Sequence, residues 1–397
     1  MLEKSHRTRV GERRRVTILG ATGSVGQQTI DLLESDLESF EVVALTANTN
    51  VEKLAAQARH LRAEFAAVAD QRHYLALKSA LAGTDTEVGA GDDAIVEAAC
   101  RDSEWVMSAI VGVAGLPGTL AAARRGAAIA FANKETLVCA GPLMMDLVAE
   151  AGARLLPADS EHNAIWQVLD TNQRDAVARL VITASGGPFR TMSREEMRSA
   201  TPEHALRHPV WNMGAKISID SATLMNKALE VIEAHFLFQV PSSKIDVLIH
   251  PQSVIHSLVE YTDGSVLAQL GTPDMRIPIA STLAWPNRMP TSVERLDLVR
   301  IGKLTFENPD PEKFPALRFA RVALERGGTA PAALNAANEI AVQAFLDKQI
   351  GFLDIERVNE QAQDEIPVLP LTDLETVLEI DRQARFLARR IVESLRG

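Results

Sequence analysis

The segment Val16-Thr17-Ile18-Leu19-Gly20-Ala21-Thr22-Gly23-Ser24-Val25-Gly26 constrains this chain more than any other. An apolar run of strand character meets G-x-x-G-x-x-G, and a helical pattern follows at 27–33. Glycines at such a junction let the backbone approach a pyrophosphate, and the helix N-terminus supplies N–H donors to it. Strand-like runs at 41–46, 65–69, 105–111 and 127–132 continue the series, with helical segments between them such as 51–61. Strand–helix alternation of this kind predicts parallel strands in a doubly wound sheet that binds a nicotinamide dinucleotide. The plain alternative is a glycine turn without a ligand. The acidic residue that reads a ribose in such folds belongs after the second strand. Here Thr46, Ala47, Asn48, Thr49 and Asn50 stand there, so neither NAD nor NADP is selected by charge.

The rest of the chain has a different texture. Strand-like runs at 177–184, 246–249, 253–260 and 266–270 surround one expected helix at 222–238, and Thr262-Asp263-Gly264 reads as a hairpin turn. Residues 287–314 lack periodicity, and from 315 onward the apolar spacing is helical at 317–326, 332–348, 355–363 and 374–395. The expected organisation is a basic tail at 1–15, an α/β dinucleotide domain at 16–153, a central α+β domain at 154–286, a linker at 287–314 and a helical domain at 315–397. A net charge of −11 argues against nucleic acid as a partner. No apolar run reaches the length of a membrane span, and residues 1–15 lack the apolar stretch of a secretion signal, so the expected location is cytoplasmic. The two cysteines, Cys100 and Cys139, have no metal-ligand spacing.

Four further segments carry chemistry. Asp159-Ser160-Glu161 places two carboxylates at i and i+2 after an apolar strand, which suits a hard divalent cation. It equally suits a helix N-cap with an acidic first turn. In Ser221-Ala222-Thr223-Leu224-Met225-Asn226-Lys227-Ala228-Leu229-Glu230, Ser221 is an expected helix cap, and Asn226, Lys227 and Glu230 share a helical face. That face can hold a phosphate and a metal together, or it can be a surface Lys–Glu pair. Ser185-Gly186-Gly187 offers a hydroxyl and backbone donors to an anion, and His208-Pro209-Val210-Trp211 reads as a mobile lid or as a loop pinned by a buried Trp.

Together with Ala109-Ile110-Val111-Gly112, Ala132-Asn133-Lys134-Glu135, His250-Pro251-Gln252-Ser253, Gln269-Leu270-Gly271, Pro273-Asp274-Met275-Arg276 and Leu334-Asn335-Ala336-Ala337-Asn338-Glu339, these segments resemble the 1-deoxy-D-xylulose 5-phosphate reductoisomerase family of non-mevalonate isoprenoid biosynthesis. The resemblance runs from about residue 16 to the C-terminal helices. It implies a homodimer that uses NADPH and one divalent cation (Mg, Mn or Co). The implied reaction turns 1-deoxy-D-xylulose 5-phosphate into 2-C-methyl-D-erythritol 4-phosphate. The rearrangement would be a retro-aldol cleavage with re-addition or a direct α-ketol shift, followed by hydride reduction.

By the same resemblance Asp159, Glu161 and Glu230 are metal ligands, and Ser185, Ser221, Asn226 and Lys227 bind the substrate phosphate. Lys134 and Ser160 touch the substrate backbone, His208 and Trp211 form the lid with Met213 nearby, and Lys134 and His208 count with the carboxylates as catalytic. Thr22, Gly23, Ser24, Val25, Asn133, Glu135 and Gly214 line the NADPH site, with Asn48, Thr49 and Asn50 at its ribose end. Two positions depart from the pattern. Val210 replaces an Asn in the lid, and Thr49 stands where a basic residue often meets the 2′-phosphate. Aspartate-semialdehyde dehydrogenases share the Gly-Ala-Thr-Gly opening, but they need a cysteine nucleophile in the second domain, and this chain has none beyond Cys139. A dinucleotide-sensing regulator would need the glycine loop but neither the carboxylates nor the phosphate grip.

Overall fold

The computed structural model describes residues 13–211 and 213–396. Most of the basic tail therefore lies outside the described residues, as does Asn212 of the lid segment. Arg14 and Arg15, expected at the end of that tail, already belong to the first strand.

The described chain forms two compact units. The first holds a seven-stranded parallel sheet of β1 (Arg14–Leu19), β2 (Phe40–Ala47), β3 (Phe65–Val68), β4 (Glu87–Ala90), β5 (Trp105–Ser108), β6 (Ala128–Phe131) and β7 (Arg154–Pro157), in the order β4-β3-β2-β1-β5-β6-β7. The chain winds outward from β1 to β4, then returns to the other side of β1. That reversal opens a crevice above the C-terminal ends of β1 and β5, the usual ligand position in such sheets. Val16, Ile18, Val43, Leu45, Val106 and Ile129 are almost fully buried, as strands covered on both faces must be.

Two pieces of this unit come from outside the expected 16–153. β7 pairs with β6 in parallel and completes the sheet. The segment 275–291 also belongs here. Its helix Arg276–Leu283 buries Ile279, Ala280 and Leu283 against the helix Ser24–Glu34 and the β6–β7 side of the sheet. The boundary expected at 153/154 therefore differs from the structure. A tetrapeptide as short as Arg154–Pro157 does not reveal which sheet it joins, because pairing is decided by contacts far away in sequence.

The second unit contains a four-stranded sheet of β8 (Val177–Ala184), β9 (Ile245–Ile249), β10 (Ile255–Tyr261) and β11 (Val266–Leu270), ordered β11-β10-β8-β9. β10 runs antiparallel to both neighbours, whereas β8 and β9 are parallel. Gly264 takes a left-handed φ of 86° in the turn between β10 and β11, as the Asp-Gly signal predicts. The expected helix at 222–238 is two helices, Ala215–Ala222 and Met225–Phe238. Leu224 sits between them with φ 60°, and its buried side chain anchors the break. Ser221 is consequently inside the last turn of the first helix and caps nothing. The helices Ala316–Arg326, Ala330–Leu346, Asp354–Glu365 and Leu374–Leu395 pack around Phe319, Leu334, Phe345, Val358 and Ile391. The architecture is thus a doubly wound α/β unit, a mixed α+β sheet and a C-terminal helical layer.

Candidate active site

In the first unit the glycine loop follows β1 and opens the helix Ser24–Glu34. Gly20 has φ 93°, and a Cβ on it would lie 2.7 Å from the Ala109 carbonyl oxygen. A Cβ on Gly26 would overlap the Gly20 carbonyl, so Gly26 is what lets the helix sit down on the loop. The loop is tied to β2 through Gly20 N–H donating to Thr46 Oγ1 at 3.0 Å and Ala21 N–H donating to the Thr46 carbonyl at 2.7 Å. Thr22 and Val25 are half-buried, and Gly23 and Ser24 are exposed. No side chain caps this helix, so its first amides are free to receive an anion. Asn48, Thr49 and Asn50 are exposed at the end of β2, and Asn50 caps the next helix by accepting from Lys53 N–H. Asn133 is buried after β6 and donates to the Gly112 carbonyl at 3.0 Å. These residues fit a dinucleotide: the turn needs glycine, and no side chain occupies the start of the helix above it.

In the second unit, three elements bring carboxylates together. Asp159 is the N-cap of the helix Ser160–Val168 and accepts from Glu161 N–H, so the capping reading and the clustered-carboxylate reading both hold for it. Glu230 projects from the helix Met225–Phe238 and is 1% exposed. One oxygen from each of Asp159, Glu161 and Glu230 lies within 4.8 Å of the others. Lys134, the first residue of the helix Lys134–Ala151, reaches Asp159 Oδ2 at 2.7 Å and Glu230 Oε1 at 2.9 Å, and donates to Asn226 Oδ1 at 3.1 Å. Lys227 pairs with Glu161 and with Glu230 Oε2, the latter at 2.7 Å. Glu230 Oε2 has this ion pair but no well-directed hydrogen bond. Three convergent hard oxygens, one of them under-used, fit a divalent cation. The surface-pair alternative for Lys227 and Glu230 fails, because both are buried.

The electrostatics follow from burial. Desolvation and the neighbouring Glu230 charge lift the Glu161 carboxyl to about 7, against the pull of Lys227. Burial would strip Lys134 of its proton, but Asp159, Glu230 and Glu233 outweigh it and hold the ammonium charged. The Asp159 carboxyl is desolvated too, yet Lys134 and His162 drive it well below the usual carboxylate range.

Ser185 directly follows β8, and the Gly186-Gly187 turn after it has φ 85° and 67°. A Cβ on Gly187 would lie 2.5 Å from the Ser221 carbonyl oxygen, so the glycine lets the Ser185 loop back onto Ser221. His208 Nδ1 accepts from Trp211 N–H at 2.8 Å. Its Nε2 is therefore the donor to Ser185 Oγ, 3.0 Å away. Burial and nearby Lys227 lower the His208 pKa to about 4, so this ring is neutral near pH 7. Trp211 is half-buried beside His256, with ring centroids 6.3 Å apart, which is neither a buried pin nor a free lid. Val210 lies in the same turn and donates its N–H to His208 Nδ1 at 3.3 Å. Gly214 caps the helix Ala215–Ala222, and Glu135 is paired with Lys216 at 3.2 Å.

The chain is similar to known proteins over nearly its full length. Family models described as 1-deoxy-D-xylulose 5-phosphate reductoisomerase and its C-terminal domain match residues 16–141 and 155–238, and a model of the DXP reductoisomerase C-terminal domain matches 270–387. The chain belongs to the 1-deoxy-D-xylulose 5-phosphate reductoisomerase family. A relative of that name from Rhodospirillum centenum is 61% identical, with 97% of this chain and 96% of the relative covered. Another from Zymomonas mobilis is 56% identical, covering 96% and 98%. The solved structure of the Zymomonas mobilis reductoisomerase in complex with NADPH superposes with a TM-score of 0.93 at 55% identity, covering 97% of this chain and all of that one. A reductoisomerase solved with NADPH, fosmidomycin and magnesium gives the same TM-score at 42% identity, covering 97% and 99%.

Two buried groups beside the trio were not among the residues expected from the motifs. His162 and Glu233 are wholly buried behind Asp159, with His162 Nδ1 3.6 Å from Asp159 Oδ1 and 3.4 Å from Glu233 Oε2. Burial opposes the His162 proton, but Glu233 and Asp159 raise its pKa to about 9. Burial lifts Glu233 to about 8, although His162 pulls the other way. The signal that would have found them is spacing: each lies three residues beyond a carboxylate of the trio, on the same helical face.

Proposed function

We propose that this chain converts 1-deoxy-D-xylulose 5-phosphate into 2-C-methyl-D-erythritol 4-phosphate with NADPH and one divalent cation, as a step of non-mevalonate isoprenoid biosynthesis. The observation that carries this reading is the trio of buried Glu230 and half-buried Asp159 and Glu161, flanked by the buried ammonium groups of Lys134 and Lys227. When bound, the cation supplies Lewis acidity at the substrate oxygens and the nicotinamide supplies the hydride. The protein's own groups do the rest. Asp159, Glu161 and Glu230 would hold the cation, and Ser160 beside Glu161 would meet the substrate. Lys134 would place positive charge where oxyanions develop during C–C rearrangement.

Ser185, Ser221, Asn226 and Lys227 would grip the phosphate, so that binding energy far from the reacting carbons is used for positioning. A neutral His208, already donating to Ser185 Oγ, would close over the substrate with Trp211 and exclude water. Thr22, Gly23, Ser24, Val25 and Asn133 would hold the cofactor, with Asn48, Thr49 and Asn50 toward its ribose. Glu135 and Gly214 join them by resemblance alone.

We also propose a cytoplasmic homodimer. Among the described residues no helix is long and apolar enough to cross a membrane. The edge strand β11 exposes Val266, Leu267 and Leu270, an apolar edge that a second copy would cover. The deciding assay follows NADPH absorbance with the pentulose phosphate, with and without chelator, and identifies the product by NMR. Metal-dependent oxidation yielding the branched tetritol phosphate supports the reading; NADPH left unconsumed at any metal concentration overturns it. Repeating the assay with NADH, and with Mg, Mn and Co, measures what Thr49 costs in selectivity and which ion serves best.

A further inference from the structure

A buried polar chain connects the C-terminal helices of the second unit to the helix that carries Lys134. Asn359, on the helix Asp354–Glu365, donates to Asn338 Oδ1 at 3.1 Å. Asn338, on the helix Ala330–Leu346, donates to Asp220 Oδ1 at 2.7 Å. The other Asp220 oxygen meets Lys216 Nζ at 2.9 Å, and the same ammonium meets Glu135 Oε1 at 3.2 Å. Asn338 is 0%, Asp220 1%, Asn359 1% and Glu135 8% exposed.

A buried carboxylate is tolerated only when its lone pairs are satisfied. Asp220 has one cation and one amide, and no apolar residue at 338 replaces the amide. The amide orientation is fixed as well, since its oxygen is already taken by Asn359. Lys216 in turn is shared between two carboxylates that belong to different elements. Glu135 directly follows Lys134 in the first helical turn, and Lys216 lies in the first turn of the helix into which the His208–Met213 segment runs.

We propose that Asn338 is a positioning residue: through Asp220 and Lys216 it fixes both the first turn that presents Lys134 and the first turn that receives the lid segment. Asn338 touches neither the carboxylate trio nor the phosphate loop in the contacts described above, so it acts only through others. The proposal rests on the reductoisomerase reading for its kinetic arm and not for its dynamic arm.

The test uses the full chain and four variants: Asn338→Leu, the milder Asn338→Ser, Asn338→Asp, and the exchange Asn338→Asp with Asp220→Asn. The exchange rebuilds one amide–carboxylate pair with the roles reversed. Measured quantities are kcat and KM for the pentulose phosphate, melting temperature, and amide hydrogen exchange over residues 206–222. Losing a hydrogen bond to a buried charge predicts a fall in kcat/KM of about tenfold or more in Asn338→Leu, a smaller fall in Asn338→Ser, and faster exchange at 214–222. The exchange variant rebuilds the 338–220 pair but removes the Asp220–Lys216 ion pair, so melting temperature should recover in part while kcat/KM stays at least about tenfold low.

Wild-type kcat/KM with unchanged exchange in a folded Asn338→Leu or Asn338→Ser overturns the proposal. So does an exchange variant with wild-type kcat/KM, because turnover would then not need the Asp220–Lys216 link. If the wild-type chain itself does not consume NADPH, the reaction reading falls instead, and hydrogen exchange alone decides the positioning role.

Discussion

At the scale of single residues, the site is a set of charges that cannot be removed independently. Glu230 contacts both lysines and is one of three clustered carboxylates. Glu230→Gln keeps the shape and removes the charge, so metal-dependent turnover should fall by at least about a hundredfold while NADPH affinity stays as in wild type. Fluorescence titration of NADPH beside the kinetic assay checks both halves, and turnover near the wild-type rate would remove Glu230 from the ligand set. Lys227→Met should raise KM for the pentulose phosphate by about ten- to a hundredfold, the value of a charge-assisted contact to phosphate. An unchanged KM removes Lys227 from the phosphate grip.

The same variant has a second readout. His208 sits below its ordinary value of 6.5, at about 4, through burial first and Lys227 second. An NMR titration of its ring should show a midpoint near pH 4, moving part of the way back toward 6.5 in Lys227→Met. The sign follows from the folded state disfavouring the proton: between these values the unfolded chain binds more protons, and acidification costs stability. A midpoint near 6.5 in the wild-type chain would contradict the buried, neutral ring.

At the scale of elements, glycine contacts give the sharpest contrast. Gly26 has no room for a Cβ, whereas a Cβ on Gly23 would meet only the Gly20 carbonyl at 3.4 Å. Gly26→Ala should weaken NADPH binding at least about tenfold and lower the melting temperature, since overpacking costs about 1–3 kcal/mol. Gly23→Ala should leave the melting temperature close to wild type. Equal melting temperatures for the two would undo the assignment of Gly26 to helix–loop packing. This part of the fold was readable in the sequence because glycine spacing, strand character and helix onset are all local. The strands 177–184 and 266–270 and the helix 374–395 were readable for the same reason, each having its own period and its own turn signals. The break at Leu224 was not readable, since a buried leucine in a left-handed conformation carries no mark in the sequence and the helical period runs straight through it. The carboxylate trio was half-readable: Asp159 and Glu161 are near neighbours in sequence, but Glu230 joins them only through tertiary packing. His162, Glu233 and the Asn338–Asp220 chain stayed hidden because buried polar pairs look like surface residues until the partner is known.

At the scale of the whole molecule, an open edge and an interrupted unit matter most. β11 ends the second sheet with apolar side chains outward. If the proposed homodimer pairs through this edge, Leu267→Lys should turn it into a monomer at micromolar concentration, as read by sedimentation, because a charge on an exposed edge strand opposes pairing. A dimer of wild-type affinity would move the interface elsewhere. The first unit is interrupted: its sheet is complete by Pro157, yet the helix Arg276–Leu283 that covers the β6–β7 side arrives from more than a hundred residues later. During synthesis the nascent sheet waits for that cover. At about 5–20 residues per second the delay is on the order of ten seconds. Meanwhile the surface that Ile279 and Leu283 will occupy stays bare to the cell, where a chaperone can find it. A shortened gene ending at residue 158 freezes that interval permanently, so its product should bind a hydrophobic dye and aggregate. Restoring residues 275–291 through a flexible tether should lower its dye binding, although Val138 on the helix Lys134–Ala151 still lacks the second-unit residues that bury it.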